Sequence, residues 1–532
     1  MTVKIILALI YLAVVFYLGY KGWRETRQAS DYMLAGRQMN PFVMAMSYGA
    51  TFISTSAIIG FGGAAALFGF PLLWLTFLNI FVGIFIAMVF FGKRTRRMGV
   101  ALDAHTFPEL MGRRFESRFV QGFSGMVIFL FIPVYAAAVL IGISRMLEVG
   151  LGINYYVALL AFAAILAFYV ITGGLKAVMY TDAFQGSLMF IMMVILVIAT
   201  YYILGGVTEA HQALTDLAPQ MPAKLKAGGM LGWTQGATPF TPMWLVIYTT
   251  IVYGVGIGVL AQPQLAVRYM TVSSDRQLNR AVLFGGIFIL TMTGVAFVVG
   301  ALSNVVFFKD LGKIAVAVAG GNIDKIIPIY ITRVMPDWYE ILFLLGMLAA
   351  AMSTLSSHFH VGGTSLGRDF YERGMGSRGR SGLGVTRLGV AITIVVTLIW
   401  GLALPPSIIA LATAFFFGLC AAAFLPTYFL GLYWKGMTQA GAIVSMVGGF
   451  VTSFFFLLFV HTKESAAIGL CKAVFGVDSL AAGAAKGSGW WLLQFTDPNI
   501  IALPVSFVLA VVVSWFTAKM DQEHLRLCWR NL

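Results

Sequence analysis

An all-α, polytopic membrane protein is the fold class this sequence predicts, on three observations. Hydrophobic residues fill 60% of 532 positions and charged residues only 11%, a balance foreign to water-soluble domains. Apolar runs long enough to span a bilayer recur from end to end. Lysine and arginine gather between alternate runs, as a bias towards cytoplasmic loops requires. The runs lie at 5–20, 42–68, 72–91, 119–147, 157–171, 184–204, 243–267, 281–307, 338–366, 388–400, 408–430, 440–460 and 500–516, which makes about thirteen transmembrane helices.

The first run has no small-residue cleavage site and is followed by Lys21, Arg24 and Arg27, so it reads as an uncleaved anchor with its N-terminus outside. Thirteen spans then place the C-terminus in the cytoplasm. Of the 35 lysines and arginines, 24 fall in the proposed inside segments, Arg268 among them, and ten in the proposed outside segments, many of these in long loops. The net charge of +14 is accounted for by this inward bias, so the partners expected are a lipid bilayer and a small-molecule substrate, with no nucleic acid and no obligate protein partner. Cys420, Cys471 and Cys528 are too scattered for a disulfide framework or a metal site.

The second and seventh helices carry matched interruptions. Gly49-Ala-Thr-Phe-Ile-Ser-Thr55 is followed by Gly60, Gly62 and Gly63, and Tyr253-Gly-Val-Gly-Ile-Gly258 by Gln262 and Pro263. Glycine tolerates unwound backbone and proline removes a helical donor, so breaks at mid-membrane are expected there. The two helices are five apart in order and therefore cross in opposite directions, the relation expected of inverted five-helix repeats with broken first core helices.

The ninth helix carries four hydroxyls within five residues. At 100° per residue Ala350, Ser353, Thr354 and Ser357 share about 100° of its surface, with Ser356 about 60° further round. Neutral oxygens suit a weakly held monovalent cation; small and hydroxyl residues also let two membrane helices pack closely, and this segment alone fits both. His360 lies one to two turns beyond, either as a satisfied interior histidine or as a proton carrier. Asp182, at the expected start of the sixth helix, is either an N-cap or a functional carboxylate. No motif of hydrolases, metalloproteases or phosphate-binding loops occurs in a fitting context, so no enzyme is expected.

Together these residues resemble the sodium:solute symporter family, which has a leucine-transporter-like core. The resemblance runs from Ser30-Asp-Tyr-Met-Leu-Ala-Gly-Arg37 through Gly173-Gly-Leu-Lys-Ala-Val178, Thr181-Asp-Ala-Phe-Gln185, Gln262-Pro263 and Ala351-Met-Ser-Thr-Leu-Ser-Ser357 to Gly431-Leu-Tyr-Trp-Lys435. It implies one transporter domain over 1–532: an extra N-terminal helix and loop at 1–37, a first repeat at 38–204, a second at 242–430 and C-terminal helices at 431–532. It also implies a principal sodium site from the carbonyls of Ala50, Ile53 and Ala350 and the hydroxyls of Ser353 and Thr354. A second sodium site would use Asp182, Ser353, Ser356 and Ser357, so one or two sodium ions are the expected coupling ions.

Phe52 and Ala57 at the first break, with Val255 and Gly258 opposite, stand where sugar and proline transporters place polar groups. The local text looks more like the pantothenate and small-carboxylate branches. The expected function is sodium-coupled import of a small organic anion, a monocarboxylate or a pantothenate-like compound, through contacts at Phe52, Ser54, Thr76, Tyr135, Tyr253 and Gln262. No buried arginine is expected near it. The alternatives are a proton-coupled transporter using His360 or Asp182, and a sodium symporter for an amino acid. The expected location is the plasma (inner) membrane.

Overall fold

Eleven helices among the described residues are long and apolar enough to cross a bilayer, and a bent pair makes a twelfth span. The computed structural model describes residues 2–26, 29–376, 383–530 and 532. Helix is the only extended secondary structure among them, apart from an isolated bridge between Met230 and Ala237 in the loop before α8. The helices used below are α1 (Thr2–Glu25), α2 (Pro41–Phe52), α3 (Ser56–Phe68), α4 (Phe70–Ala101), α5 (Phe107–Arg114), α6 (Arg118–Leu151), α7 (Tyr155–Leu204), α8 (Pro242–Ala261), α9 (Pro263–Tyr269), α10 (Asp275–Leu311), α11 (Asp337–Gly374), α12 (Leu383–Ala403), α13 (Ile409–Tyr433), α14 (Gln439–Val460), α15 (Thr462–Ile468) and α16 (Asn499–Phe516).

The fifth and sixth expected spans run together as α7, 50 residues bent at Gly174. Gly174 has φ 67°, and a β-carbon there would stand 2.6 Å from the Tyr32 ring, so both backbone and packing exclude a larger residue. This continuity corrects the placing of Asp182. It lies two turns past the bend, fully buried inside helix, and an interior residue cannot cap an N-terminus.

The two interrupted helices break differently. α2 ends at Ile53 (φ −92°, ψ 103°), and the chain resumes as α3 at an angle of 53°. α8 stays helical through all the glycines of Tyr253–Gly258 and breaks only at Gln262 (φ −75°, ψ 114°), where Pro263 opens α9. Those glycines admit neighbours rather than unwind: a methyl group at Gly258 would lie 2.7 Å from the Phe417 carbonyl oxygen.

The core sits around α11, whose central stretch is buried on every side and packs against α7, α6, α12 and α2. A helix apolar all round belongs in the interior of a bundle. α14 and α16 pack on each other and on α13 at the periphery.

Candidate functional site

The break after Phe52 strips the last α2 carbonyls of their helical donors, and α11 supplies replacements. Ser353 Oγ donates to the Ala50 carbonyl (2.9 Å) and to Ala350 (3.2 Å); Thr354 Oγ1 donates to Ala50 (3.1 Å) and Thr51 (3.4 Å). Ser54 holds the turn, its Oγ accepting from the Ser56 amide at 3.1 Å. Ala50, Ile53, Ala350, Ser353 and Thr354 are all buried; the Ala50 and Ala350 carbonyls and the Ser353 and Thr354 hydroxyls come together as neutral oxygens, with Ile53 at the helix end beside them. A cation entering here would replace hydroxyl hydrogens as the partner of the Ala50 carbonyl, and both hydroxyls would turn their lone pairs to it.

At the expected second site the structure brings in an unexpected residue. Arg268 does not reach the cytoplasm: α9 carries it back into the bundle, and neither it nor Asp182 has exposed side-chain surface. Its Nη2 donates to Thr51 Oγ1 (2.5 Å), Ser357 Oγ (2.7 Å) and Asp182 Oδ2 (3.2 Å), its Nε to Ser47 Oγ (3.0 Å), and its Nη1 to the Gln264 carbonyl (2.5 Å). Ser47 Oγ also donates to Asp182 Oδ2 at 2.6 Å. Ser356 faces its own helix, donating to the Ser353 carbonyl at 3.1 Å. Asp182 and Ser357 thus meet around a guanidinium, and Asp182 Oδ1 is left buried without a partner.

Phe52 and Tyr135 line a narrow cavity beside the first break, together with Asn79, Thr293, Thr413 and Phe417. About 20 Å³ of it is open to the centre of a water molecule, far less than an organic solute fills, so these walls must part to admit one. Ser54 reaches it through Tyr135 (3.4 Å between hydroxyls). Thr76 sits one turn before Asn79 on α4, and the Thr76 hydroxyl and Asn79 carbonyl oxygen are buried without partners. Gln262 is turned into its own break, bonded to the Gly258 carbonyl and to Gln264, and Tyr253 stands half-buried away from the cavity. Asn79, Thr293 and Thr413 had no motif to announce them; each is a scattered polar residue in an apolar run.

His360 packs at a tilt against Tyr32, with ring centroids 5.2 Å apart. His360→Gln is expected to retain sodium-dependent uptake with no more than a severalfold change in rate; uptake lost in this variant, and driven in wild type by a proton gradient alone, would make it a proton carrier. In the short helix α5 Glu109 holds Arg113 (2.6 Å) and Arg368 (3.0 Å) with His105 beside it. Burial pushes its carboxyl up, but hydrogen bonds from His105 and the charges of Arg368 and Arg113 outweigh this and hold it well below the usual carboxylate range. A depressed folded value means that its stabilisation is complete above the unfolded value near ~4.3 and fades as pH falls towards the folded one. The difference in melting temperature between wild type and Glu109→Gln should therefore stay level from pH 7 to about 5 and shrink below about 4.

A bundle of membrane helices, a helix broken beside a hydroxyl-lined neighbour and a closed cavity at the break define a secondary transporter. Residues 32–449 match the sodium:solute symporter family, and the chain belongs to it: it is a sodium-coupled symporter of a small solute, not an enzyme. It is 29% identical over 455 residues to a sodium/pantothenate symporter of Haemophilus influenzae, covering 84% of this chain and 89% of that one. With an osmoregulated proline transporter of Bacillus subtilis it shares 28% over 493 residues, 91% of this chain and 94% of that one. A solved Na+-coupled sialic acid symporter, substrate-bound and outward-open, superposes with a TM-score of 0.75 at 18% identity, over 98% of both chains. The fold is therefore the leucine-transporter-like one that the paired breaks imply.

Proposed function

We propose that this symporter imports a small hydroxyl- and amide-bearing organic anion of the pantothenate kind, coupled to one sodium ion held by Ala50, Ile53, Ala350, Ser353 and Thr354. The observation that carries the substrate class is the lining of the cavity. Asn79, Thr293, Thr413 and Tyr135 offer neutral donors and acceptors beside the stacked rings of Phe52 and Phe417, and no lysine or arginine lines it. Such walls recognise hydroxyl and amide groups on an apolar skeleton; a carboxylate would lean on the sodium ion and on helix termini. A pantothenate symporter among the relatives supports the same reading. Proline transporters at similar identity make an amino acid the second reading.

The single coupling ion follows from Arg268. Its guanidinium fills the place expected for a second sodium, and two unit charges about 4 Å apart repel by about 4 kcal/mol at an effective dielectric constant near 20. Residues 38–204 and 242–430 would be the two repeats, in the plasma (inner) membrane with the N-terminus outside.

Uptake into proteoliposomes of the purified protein tests this reading, with labelled pantothenate, short monocarboxylates and proline, each with and without an inward sodium gradient. Pantothenate-like solutes should accumulate only with sodium; accumulation of proline alone, or uptake that follows pH and ignores sodium, would overturn it. Asn79→Leu is expected to raise KM for the solute at least tenfold, since an unpaired polar group on the solute then enters an apolar wall, with sodium binding unchanged.

A further inference from the structure

Beside Thr250 in the middle of α8, a second small cavity lies between α8, α13, α14, α15 and the start of α16. Its walls include Thr250, Ser453, His461, Glu464, Asp497 and Asn499, and about 10 Å³ is open to the centre of a water molecule, one small guest. The polar atoms around it are unusual in number and state. The hydroxyls of Thr250 and Ser453, both ends of the Asn499 amide and His461 Nε2 are buried without hydrogen-bond partners, and every one of these residues is at least nine-tenths buried. Buried polar groups are normally satisfied, so the three orphaned oxygens among them, Thr250 Oγ1, Ser453 Oγ and Asn499 Oδ1, point to a guest that offers them a positive partner.

The chemistry of the walls selects the guest. His461 Nδ1 pairs with Glu464, which leaves Asp497 as the carboxylate without a cationic partner of its own. Asp497 is held rigidly: its backbone N–H donates to Thr249 Oγ1 (2.9 Å) and its Oδ1 accepts from the Asn499 backbone N–H (2.8 Å). Oδ2 points between two glycines. A methyl group at Gly254 would stand 2.6 Å from it, and one at Gly418 2.9 Å from Asn499 Nδ2, so the helices are thinned where the carboxylate and amide enter. Among the described residues no three His, Cys, Asp or Glu side chains are placed to hold one metal ion together, so the multi-carboxylate and His/Cys ligand sets favoured by divalent and transition metals are not built here. One carboxylate with hydroxyl and amide oxygens suits a small monovalent cation.

We propose that this cavity is a sodium site, with Asp497 Oδ2, Thr250 Oγ1, Ser453 Oγ and Asn499 Oδ1 as ligands. Its ion stays bound through the transport cycle and ties α14 and α16 to the middle of α8, the helix that runs to the Gln262 break.

The test is the number of saturable sites for ²²Na⁺ on the purified full-length protein in nanodiscs. Wild type should hold two, and Asp497→Asn one, with the remaining site lost on further replacement of Ser353 and Thr354 by alanine. Thr250→Val with Ser453→Ala keeps the carboxylate and all backbone contacts, covers the case in which Asp497→Asn fails to fold, and should weaken one site at least tenfold. The same number and affinity of sites in wild type and in the variant that folds would overturn the proposal. Crystals or grids prepared in thallium(I) should show a strong peak between Asp497 and Thr250; an ordered water alone at that position would also overturn it. Failure of the principal site reads differently, as two sites persisting in Ser353→Ala/Thr354→Ala.

Discussion

The double replacement Ser353→Ala/Thr354→Ala is expected to abolish sodium-driven accumulation while leaving folded protein in the membrane. Both hydroxyls bond the Ala50 carbonyl across the gap between α11 and α2, and both side chains are fully buried, so alanine removes two oxygen ligands and adds no bulk. Interactions of a charged group with a neutral polar partner contribute about 1.5–3 kcal/mol each. Losing two corresponds to roughly 10²–10⁴-fold in sodium affinity, since each 1.4 kcal/mol is tenfold. The fold should tolerate the change better than the ion does. The Ala50 and Thr51 carbonyls lose their donors, a penalty of about 1–3 kcal/mol each when buried, partly relieved by water entering the α2 break. The measurement is solute uptake against sodium concentration in proteoliposomes, beside a melting curve of the detergent-solubilised variant. Unchanged half-saturation by sodium in a well-folded double variant would remove the site from the mechanism.

The hydroxyl face of this candidate site was legible in the sequence because four hydroxyls in five residues of an apolar helix pack inward, and Gly49, four residues before Ile53, marks a helix that can stop. Spacing alone set the ligand face, and the structure places Ser353 and Thr354 opposite the Ala50 carbonyl. Arg268 was not legible for a physical reason. It follows an apolar run directly, where the bias of charges puts arginine in the cytoplasm. Pro263 pre-sets the backbone for a new helix after the break, and seven residues of α9, all buried, bring the guanidinium back inside. The available signal was Asp182, a carboxylate just before an apolar run, which calls for a cation somewhere in the chain. The second cavity was further from reach, since Thr250, Ser453, Asp497 and Asn499 belong to three helices and a loop that only tertiary packing brings together. The glycines at 254 and 258 misled in a different way: they are sites of close approach, and backbone freedom was not what the fold took from them.

Arg268→Gln is the second change with a large expected effect, and its outcome separates two accounts of Asp182. Removing one partner of a buried ion pair typically costs about 3–5 kcal/mol, because the other charge is left uncompensated. In this protein the uncompensated group would be a carboxylate with Ser47, Ser357 and Thr51 around it, which is an oxygen shell fit for a sodium ion once the guanidinium has gone. The expected result is that the ion moves in. The charge carried per solute, read from reversal potentials in proteoliposomes, should rise by one elementary charge relative to wild type, and the melting temperature of the variant should become steeply dependent on sodium, since a ligand that binds only the folded state stabilises it by mass action. Asp182→Asn combined with Arg268→Gln removes both charges together. That variant should recover most of the lost stability, return to one sodium per solute and lose the added sodium dependence of its melting temperature. A wild-type protein that already moves two sodium ions per solute would show that guanidinium and sodium share Asp182, with the ion on the Oδ1 that Arg268 leaves unpartnered. In that case Arg268→Gln would leave the ratio at two, and the arginine would act by orienting the carboxylate towards the ion.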